Sequence, residues 1–282
     1  MPSPSPQEPK IYLLPNLMTA GNLFCGFMAV LHIMNGMGVT TPTSDVYPYH
    51  HAIAFILGAC LFDLLDGRFA RAKGQASDFG REFDSIADVI SFGFAPALLV
   101  HAIVLKGMDD RIGWFISFIY LLCGAMRLAR FNCIAATVGL STASKDFLGF
   151  PIPAAAGVIA SLTLLLIWLE GSERQLGPLR YVLPFLMLGL SFLMFSRVKY
   201  PSFKKINWKS RHSVPVILGV VLVIVSTILF WEWMPAVIFL SYLLYGMVRP
   251  WVSRRWRREI EMEDEKEEAE SEGEDKELKI EN

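Results

Sequence analysis

This 282-residue chain has no polar stretch long enough to build a sizeable soluble domain. Hydrophobic residues make up 53% of it, against about 45–50% in ordinary soluble domains even when glycine is counted. Cysteine is scarce: Cys25, Cys60, Cys123 and Cys133 sit in or beside apolar segments without metal-like spacing, which argues against a disulfide framework. The five histidines, His32, His50, His51, His101 and His212, are scattered and form no ligand or catalytic pattern. The Pro/Ser-rich stretch Met1–Lys10 has no basic region ahead of an apolar one, so a cleavable signal peptide is not expected and 1–10 reads as a disordered N-terminus. Internal repeats are absent.

The apolar residues fall in blocks about as long as a bilayer is thick, where a crossing helix needs roughly 20 residues. They predict an all-α membrane protein, a polytopic bundle of about eight transmembrane helices. The expected spans are Leu17–Met34, Ala52–Leu65, Ile86–Leu105, Ile112–Met126, Ala154–Leu169, Tyr181–Phe195, Val214–Trp231 and Pro235–Val248. The second and fourth are short for a full crossing, unless polar residues at their ends continue the helix beyond the apolar core.

Net charge of −1 hides a split. Glu259–Asn282 carries 13 acids and 3 lysines, a net of −10, which leaves +9 on the rest. The segment 259–282 reads as an acidic disordered tail with a solvating role. With a cytoplasmic N-terminus, 22 of the 26 Lys and Arg residues fall on the inner side. Only Lys106, Arg111, Arg174 and Arg180 fall outside, and the loop Gly36–His51 has neither Lys nor Arg. The positive-inside rule then places both termini in the cytoplasm, in a protein of the cytoplasmic membrane. Six bases between Arg197 and Arg211 suit the inner surface and anionic lipid heads, worth about 1 kcal/mol each.

Set into this apolar chain is the array Asp63-x2-Asp66-Gly67-x2-Ala70-Arg71-x8-Gly80-x3-Asp84-x3-Asp88. One carboxylate at the centre of a spanning helix costs roughly 2.5–3.5 kcal/mol. Asp63 and Asp66 are three apart and Asp84 and Asp88 four apart, so each pair shares a helix face. Two such faces brought together make an oxygen-rich cage for a hard divalent cation. The competing readings are solvated loop charges paired with Arg68, Arg71 and Arg81, or the cation site of a transporter. A transporter wants its charges near mid-membrane on broken helices, whereas these lie at span ends around one basic loop.

The array resembles the signature of the CDP-alcohol phosphotransferase family, with all eight fixed positions filled. The resemblance implies a core of the first six spans, over 11–203, followed by a basic loop and two additional transmembrane helices over 204–258. It implies Asp63, Asp66 and Asp84 as metal ligands, and Asp88 as the general base that takes a proton from an acceptor hydroxyl, with a possible metal contact of its own. The ions would be Mg²⁺ or Mn²⁺, as a pair. Gly67, Ala70 and Gly80 would let a nucleotide approach the backbone, or else serve helix packing. Arg71 offers a forked cation to a phosphate.

Three further stretches resemble the bacterial and archaeal phosphatidylserine synthase branch. The first runs from Leu14 to Gly26, where Asn16 and Thr19 could cap the helix or approach the nucleotide. The second is Gly124–Asn132, followed later by Gly149–Gly157; the third is Phe195–Phe203. Arg127 and Arg130 share one side of a helix end and could hold the carboxylate of serine or the lipid's phosphates, with Asn132 completing the pocket. Pro151 and Pro153 read as setting the entry angle of the next span. The substrates implied are CDP-diacylglycerol and L-serine, with membrane lipids around the protein, no nucleic acid, and a possible homodimer. Sibling enzymes that use glycerol 3-phosphate or inositol phosphate are the alternative.

Overall fold

A computed structural model describes residues 13–38, 47–72, 77–107, 110–138, 147–171, 181–196, 199–200, 219, 222–223 and 225–248. The N-terminal stretch, most of the basic loop, part of the span expected at Val214–Trp231 and the acidic tail lie outside the described residues.

The described chain is helical apart from one two-residue strand pair. Its helices are α1 (Leu13–Gly38), α2 (Tyr47–Ala72), α3 (Asp78–Asp88), α4 (Ala95–Ile103), α5 (Asp110–Val138), α6 (Ile152–Gly171), α7 (Val182–Phe195) and α8 (Met234–Val248). Proline marks the starts. Pro15, Pro48, Pro96, Pro153, Pro184 and Pro235 each stand in the first turn of a helix, where the missing N–H has no intrahelical partner to lose.

Among the described residues, five helical segments are long and apolar enough to cross a membrane: Leu13–Gly38, Pro48–Arg68, Phe79–Gly107, Arg111–Ile134 and Ile152–Glu170. Val182–Phe195 and Met234–Met247 are shorter apolar helices. Large side chains such as Phe185 (75% exposed) and Phe192 (73%) point outward from α7, as suits a helix facing lipid. This is an integral membrane protein. The spans that looked short in the sequence are not: α2 has 26 residues and α5 has 29. Charged motif residues lower the local hydropathy while the backbone continues as helix.

The third span is not uniform. Between α3 and α4 the chain widens into a π-turn, Val89–Phe94, in which the N–H of Ala95 bonds back to the carbonyl of Ile90. The Phe92 carbonyl accepts from the Tyr120 hydroxyl of α5 at 3.1 Å, which satisfies a backbone group that regular helix would have paired.

Packing relies on small residues, as expected where lipid removes the hydrophobic drive between helices. Ala155, Ala156 and Ala160 of α6 are fully buried, and Gly157 lies in direct contact with the Phe239 ring of α8. On α1, Gly26 leaves room for Ser91, whose Cα would stand 2.8 Å from any added Cβ. Ser91 then donates to the Asn22 carbonyl at 3.0 Å.

The strand pair ties two of the sequence stretches together. Strand β1 (Phe147–Leu148) runs antiparallel to β2 (Lys199–Tyr200), with Phe147 opposite Tyr200. Gly149 follows in the left-handed region at φ +81, its Cα facing the Met194 carbonyl so closely that no side chain fits. The Phe150 N–H then bonds to the Leu193 carbonyl at 3.1 Å. The start of α6 and the end of α7 are therefore joined by backbone.

Candidate active site

Helix α2 delivers Asp63 and Asp66 from one face, and α3 delivers Asp84 from its middle. Carboxylate oxygens of these three residues lie within 4.8 Å of one another. Asp88, one turn further along α3, is within electrostatic reach of the other three and is only 5% exposed. The start of α3 is set by Ser77, whose hydroxyl accepts the Gly80 N–H at 3.0 Å as an N-cap. That cap fixes where the helix begins and hence which way Asp84 and Asp88 point.

Helix α1 supplies the opposing face as a ladder of polar groups. Asn16 approaches the start of α3: a Cβ on Gly80 would stand 3.2 Å from its Oδ1. One turn on, the Thr19 hydroxyl lies 3.2 Å from both Asp66 Oδ2 and the Pro15 carbonyl, and can donate to one at a time. The next rung is Asn22, which donates from Nδ2 to Asp88 Oδ1 at 3.0 Å. Beyond it the same face turns apolar, with Ala29 and Ile33 fully buried.

Several polar atoms here are enclosed and unpartnered: Asn16 Nδ2, Asn22 Oδ1, Asp84 Oδ1 and Arg127 Nε. Asp84 and Asp66 bring carboxylate oxygens within 4.8 Å of each other, and two such charges that close call for a proton or a cation between them. Buried polar atoms left unpaired are expensive. Three clustered carboxylates with a free oxygen are the donor set a hard divalent ion takes, so the residues present fit one.

Arg127 reaches the site from α5. Its guanidinium lies within electrostatic reach of Asp88, of Asp63 and of Tyr242 on α8. Arg130 is half-buried one turn further along α5. Asn132 behaves differently: its amide donates to Glu82 Oε2 at 3.1 Å and to Ser85 Oγ at 3.0 Å, tying α5 to α3. It lines a groove of about 340 Å³ with Glu82, Ser85, Ile86, Val89 and Leu128, and none of the aspartates opens into that groove. Arg81 Nε lies 3.7 Å from Glu82 Oε1. Gly67 follows Asp66 directly in α2, while the side chains of Ala70 and Arg71 lie outside the described residues.

The sequence of the CDP-alcohol phosphatidyltransferase family matches residues 12–195, which include every one of these groups except Tyr242. This chain belongs to that family. Among its relatives, a Helicobacter pylori (strain ATCC 700392 / 26695) protein named CDP-diacylglycerol–serine O-phosphatidyltransferase is 36% identical over 245 residues, covering 85% of this chain and 91% of that one. A Bacillus subtilis (strain 168) protein of the same name is 31% identical over 192 residues, 68% of this chain and 92% of its own. An archaetidylserine synthase from Methanothermobacter thermautotrophicus is 35% identical over 191 residues, covering 67% and 69%.

One side chain with a contact in the site, Asn22, had no role assigned from sequence. It carried a signal, since Asn16, Thr19 and Asn22 recur every three residues in an apolar helix.

Proposed function

We propose that this protein transfers the phosphatidyl group of CDP-diacylglycerol to the hydroxyl of L-serine, giving phosphatidylserine and CMP, at the cytoplasmic face of the cytoplasmic membrane. The observation that carries the reading is the convergence of Asp63, Asp66 and Asp84 within 4.8 Å, beside an Asp88 held by Asn22. The names of the relatives support the acceptor, and the inner-side excess of basic residues supports the orientation.

In this reading Asp63, Asp66 and Asp84 hold divalent ions, a pair of Mg²⁺ or Mn²⁺. Such ions, when bound, would neutralise the pyrophosphate of the CDP-lipid and stabilise the charge that develops on the leaving CMP. Asn22 occupies Asp88 Oδ1 and leaves Oδ2 to take the proton of the serine hydroxyl. The serine oxygen forms a bond to the lipid-side phosphorus, the bond from that phosphorus to the CMP oxygen breaks, and CMP carries away the electron pair. Asn16, Thr19, Gly67, Ala70, Arg71 and Gly80 frame the nucleotide. Arg127 faces the serine carboxylate, with Arg130 one turn behind it, whereas Asn132 braces α3 against α5. Residues 11–203 form the catalytic core, and a homodimer, expected from the family, is part of the reading.

Serine is favoured over glycerol 3-phosphate or inositol phosphate because a phosphorylated acceptor calls for a denser basic pocket than two arginines. The test is CMP release by the purified protein from CDP-diacylglycerol with each acceptor. Serine should be used much faster than either phosphorylated alcohol, and faster turnover with one of those would assign the chain to a sibling activity.

A further inference from the structure

We propose that Ser91, in the π-turn of the third span, is a positioning residue that holds Asn22 so that the Asn22 amide stays on Asp88. Tyr120 braces the same turn from the opposite side. The inference rests on the reading that Asp88 is the base of the transfer, and it identifies what keeps one oxygen of that base fixed and the other free.

Asn22 is gripped twice by one span. Its Nδ2 donates to Asp88 Oδ1 at 3.0 Å, and its backbone carbonyl accepts from the Ser91 hydroxyl at 3.0 Å. Asn22 and Ser91 are fully buried and Asp88 nearly so, which shields both bonds from bulk water. A carbonyl oxygen has two lone pairs, so this one can take the hydroxyl beside the N–H that the α-helix supplies from four residues further on. That N–H belongs to Gly26, whose missing side chain admits Ser91. A Cβ on Gly26 would stand 2.8 Å from Ser91 Cα and 2.9 Å from its Cβ.

The site needs such a clamp. Between helices in lipid, close packing and interhelical hydrogen bonds fix the register, because burial away from water supplies no drive. If α1 slid along the third span, the Asn22 amide would leave Asp88 Oδ1, and either oxygen of the base could then turn toward the acceptor or toward the metal cluster. The π-turn places the clamp. Asp88 immediately precedes Val89–Phe94, and Ser91 reaches α1 from within that turn. The next residue, Phe92, accepts through its carbonyl from the Tyr120 hydroxyl of α5 at 3.1 Å, and Tyr120 is itself fully buried. Consecutive residues thus tie the turn to α1 on one side and to α5 on the other. Relaxation to regular helix would change the angle between Asp88 and Ser91 as met by α1, so the two could no longer grip Asn22 together.

The experiment uses the full-length protein in lipid nanodiscs with Mg²⁺, CDP-diacylglycerol and serine. It measures the single-turnover rate constant for CMP formation, metal-dependent binding of CDP-diacylglycerol and the thermal inactivation half-life. The variants are Ser91→Ala, Tyr120→Phe, Asn22→Leu and each of the first two combined with Asn22→Leu. Ser91→Ala should lower the rate constant about threefold to tenfold, the scale of one interhelical hydrogen bond, while CDP-lipid binding stays within about twofold. Tyr120→Phe should act in the same direction and decides the matter if Ser91→Ala fails to fold. The backbone carbonyl that accepts from Ser91 survives in Asn22→Leu, so a purely structural role would persist there. Ser91→Ala should therefore shorten the half-life in both backgrounds but leave the rate constant of Asn22→Leu unchanged. Inactive protein lowers the amplitude of a single turnover and not its rate constant, which separates misfolding from mispositioning. A rate constant within twofold for both Ser91→Ala and Tyr120→Phe would overturn the proposal, as would the same fold-loss in the Asn22→Leu background. So would an Asn22→Leu variant as fast as the parent. Asp88→Asn, measured alongside, tests the underlying reading: loss of CDP-lipid binding there would make Asp88 a metal ligand. The positioning role then stands if Ser91→Ala weakens that same binding only while Asn22 is present, and fails otherwise.

Discussion

At the scale of single residues, the proposed reading gives two jobs to four chemically identical side chains. Asp63, Asp66 and Asp84 share one cluster, whereas Asp88 lies a turn away with Oδ1 already taken by Asn22. Asp84→Asn removes one charge from the cluster, and metal-dependent binding of CDP-diacylglycerol should fall by well over tenfold. Asp88→Asn keeps the size and the Asn22 contact but cannot accept a proton. It should stop the chemical step in single-turnover measurements while binding stays within about tenfold, or roughly 1.4 kcal/mol. Equal loss of binding in both variants would place Asp88 among the metal ligands. Activity should also disappear in excess chelator and return on adding Mg²⁺ or Mn²⁺; full turnover in chelator would remove the cation from the reading. The aspartates were legible in the sequence because spacings of three and four fix a shared face whatever the tertiary structure does. Their partners were less so. Asn22 advertised its face but not its acceptor, and its bond to Asp88 depends on the packing of α1 against α3, which no local pattern encodes.

At the scale of elements, two departures from regular helix place the site. The π-turn after Asp88 rephases the third span, so that Asp84 and Asp88 face α1 and α2 while Ala95, Leu99 and Val100 beyond it are buried in the core. Regular helix would advance about 100° per residue without that correction. No proline marks Val89–Phe94, and Ser91 and Gly93, its small residues, do not by themselves specify a π-turn. The second departure is Gly149, at φ +81 against the Met194 carbonyl. Gly149→Ala should cost about 1–3 kcal/mol and shorten the thermal inactivation half-life of the purified protein. Gly189→Ala on α7, where an added Cβ meets nothing within 4 Å, is the matched control and should leave that half-life unchanged. Equal half-lives for the two variants would show that the joined ends of α6 and α7 contribute little. Helix starts, in contrast, could be read from proline. Span lengths were underestimated where polar or charged residues at the helix ends, such as Asp63 and Asp66 on α2 or Arg127 and Arg130 on α5, lower the hydropathy while the helix continues.

At the scale of the whole molecule, chemistry and charge are kept apart. The polar rungs occupy the first half of α1, Asp63 and Asp66 lie toward the end of α2, and Asp84 and Asp88 lie in the second half of α3, while the acidic segment from Glu259 onward follows every helix described. Truncation after Arg258 should therefore leave an active enzyme in the membrane. Loss of most CMP release at unchanged expression would reveal a catalytic role for that segment. The eight-span count came from periodic blocks of apolar residues, a signal carried by the bilayer's thickness and so independent of packing. How the spans meet came only with the structure.

The ladder on α1 stops at Asn22, and above it the helix face is apolar through Ile33. Chemistry limited to that depth acts on one leaflet. Each turnover would exchange a headgroup while the two acyl chains stay where they are, so the number of lipids in that leaflet is conserved and only its surface charge and headgroup size change. The opposite leaflet gains nothing directly. Any phosphatidylserine found there must have crossed by a separate transverse movement, and the balance between the two sheets is set by that transport and not by this enzyme.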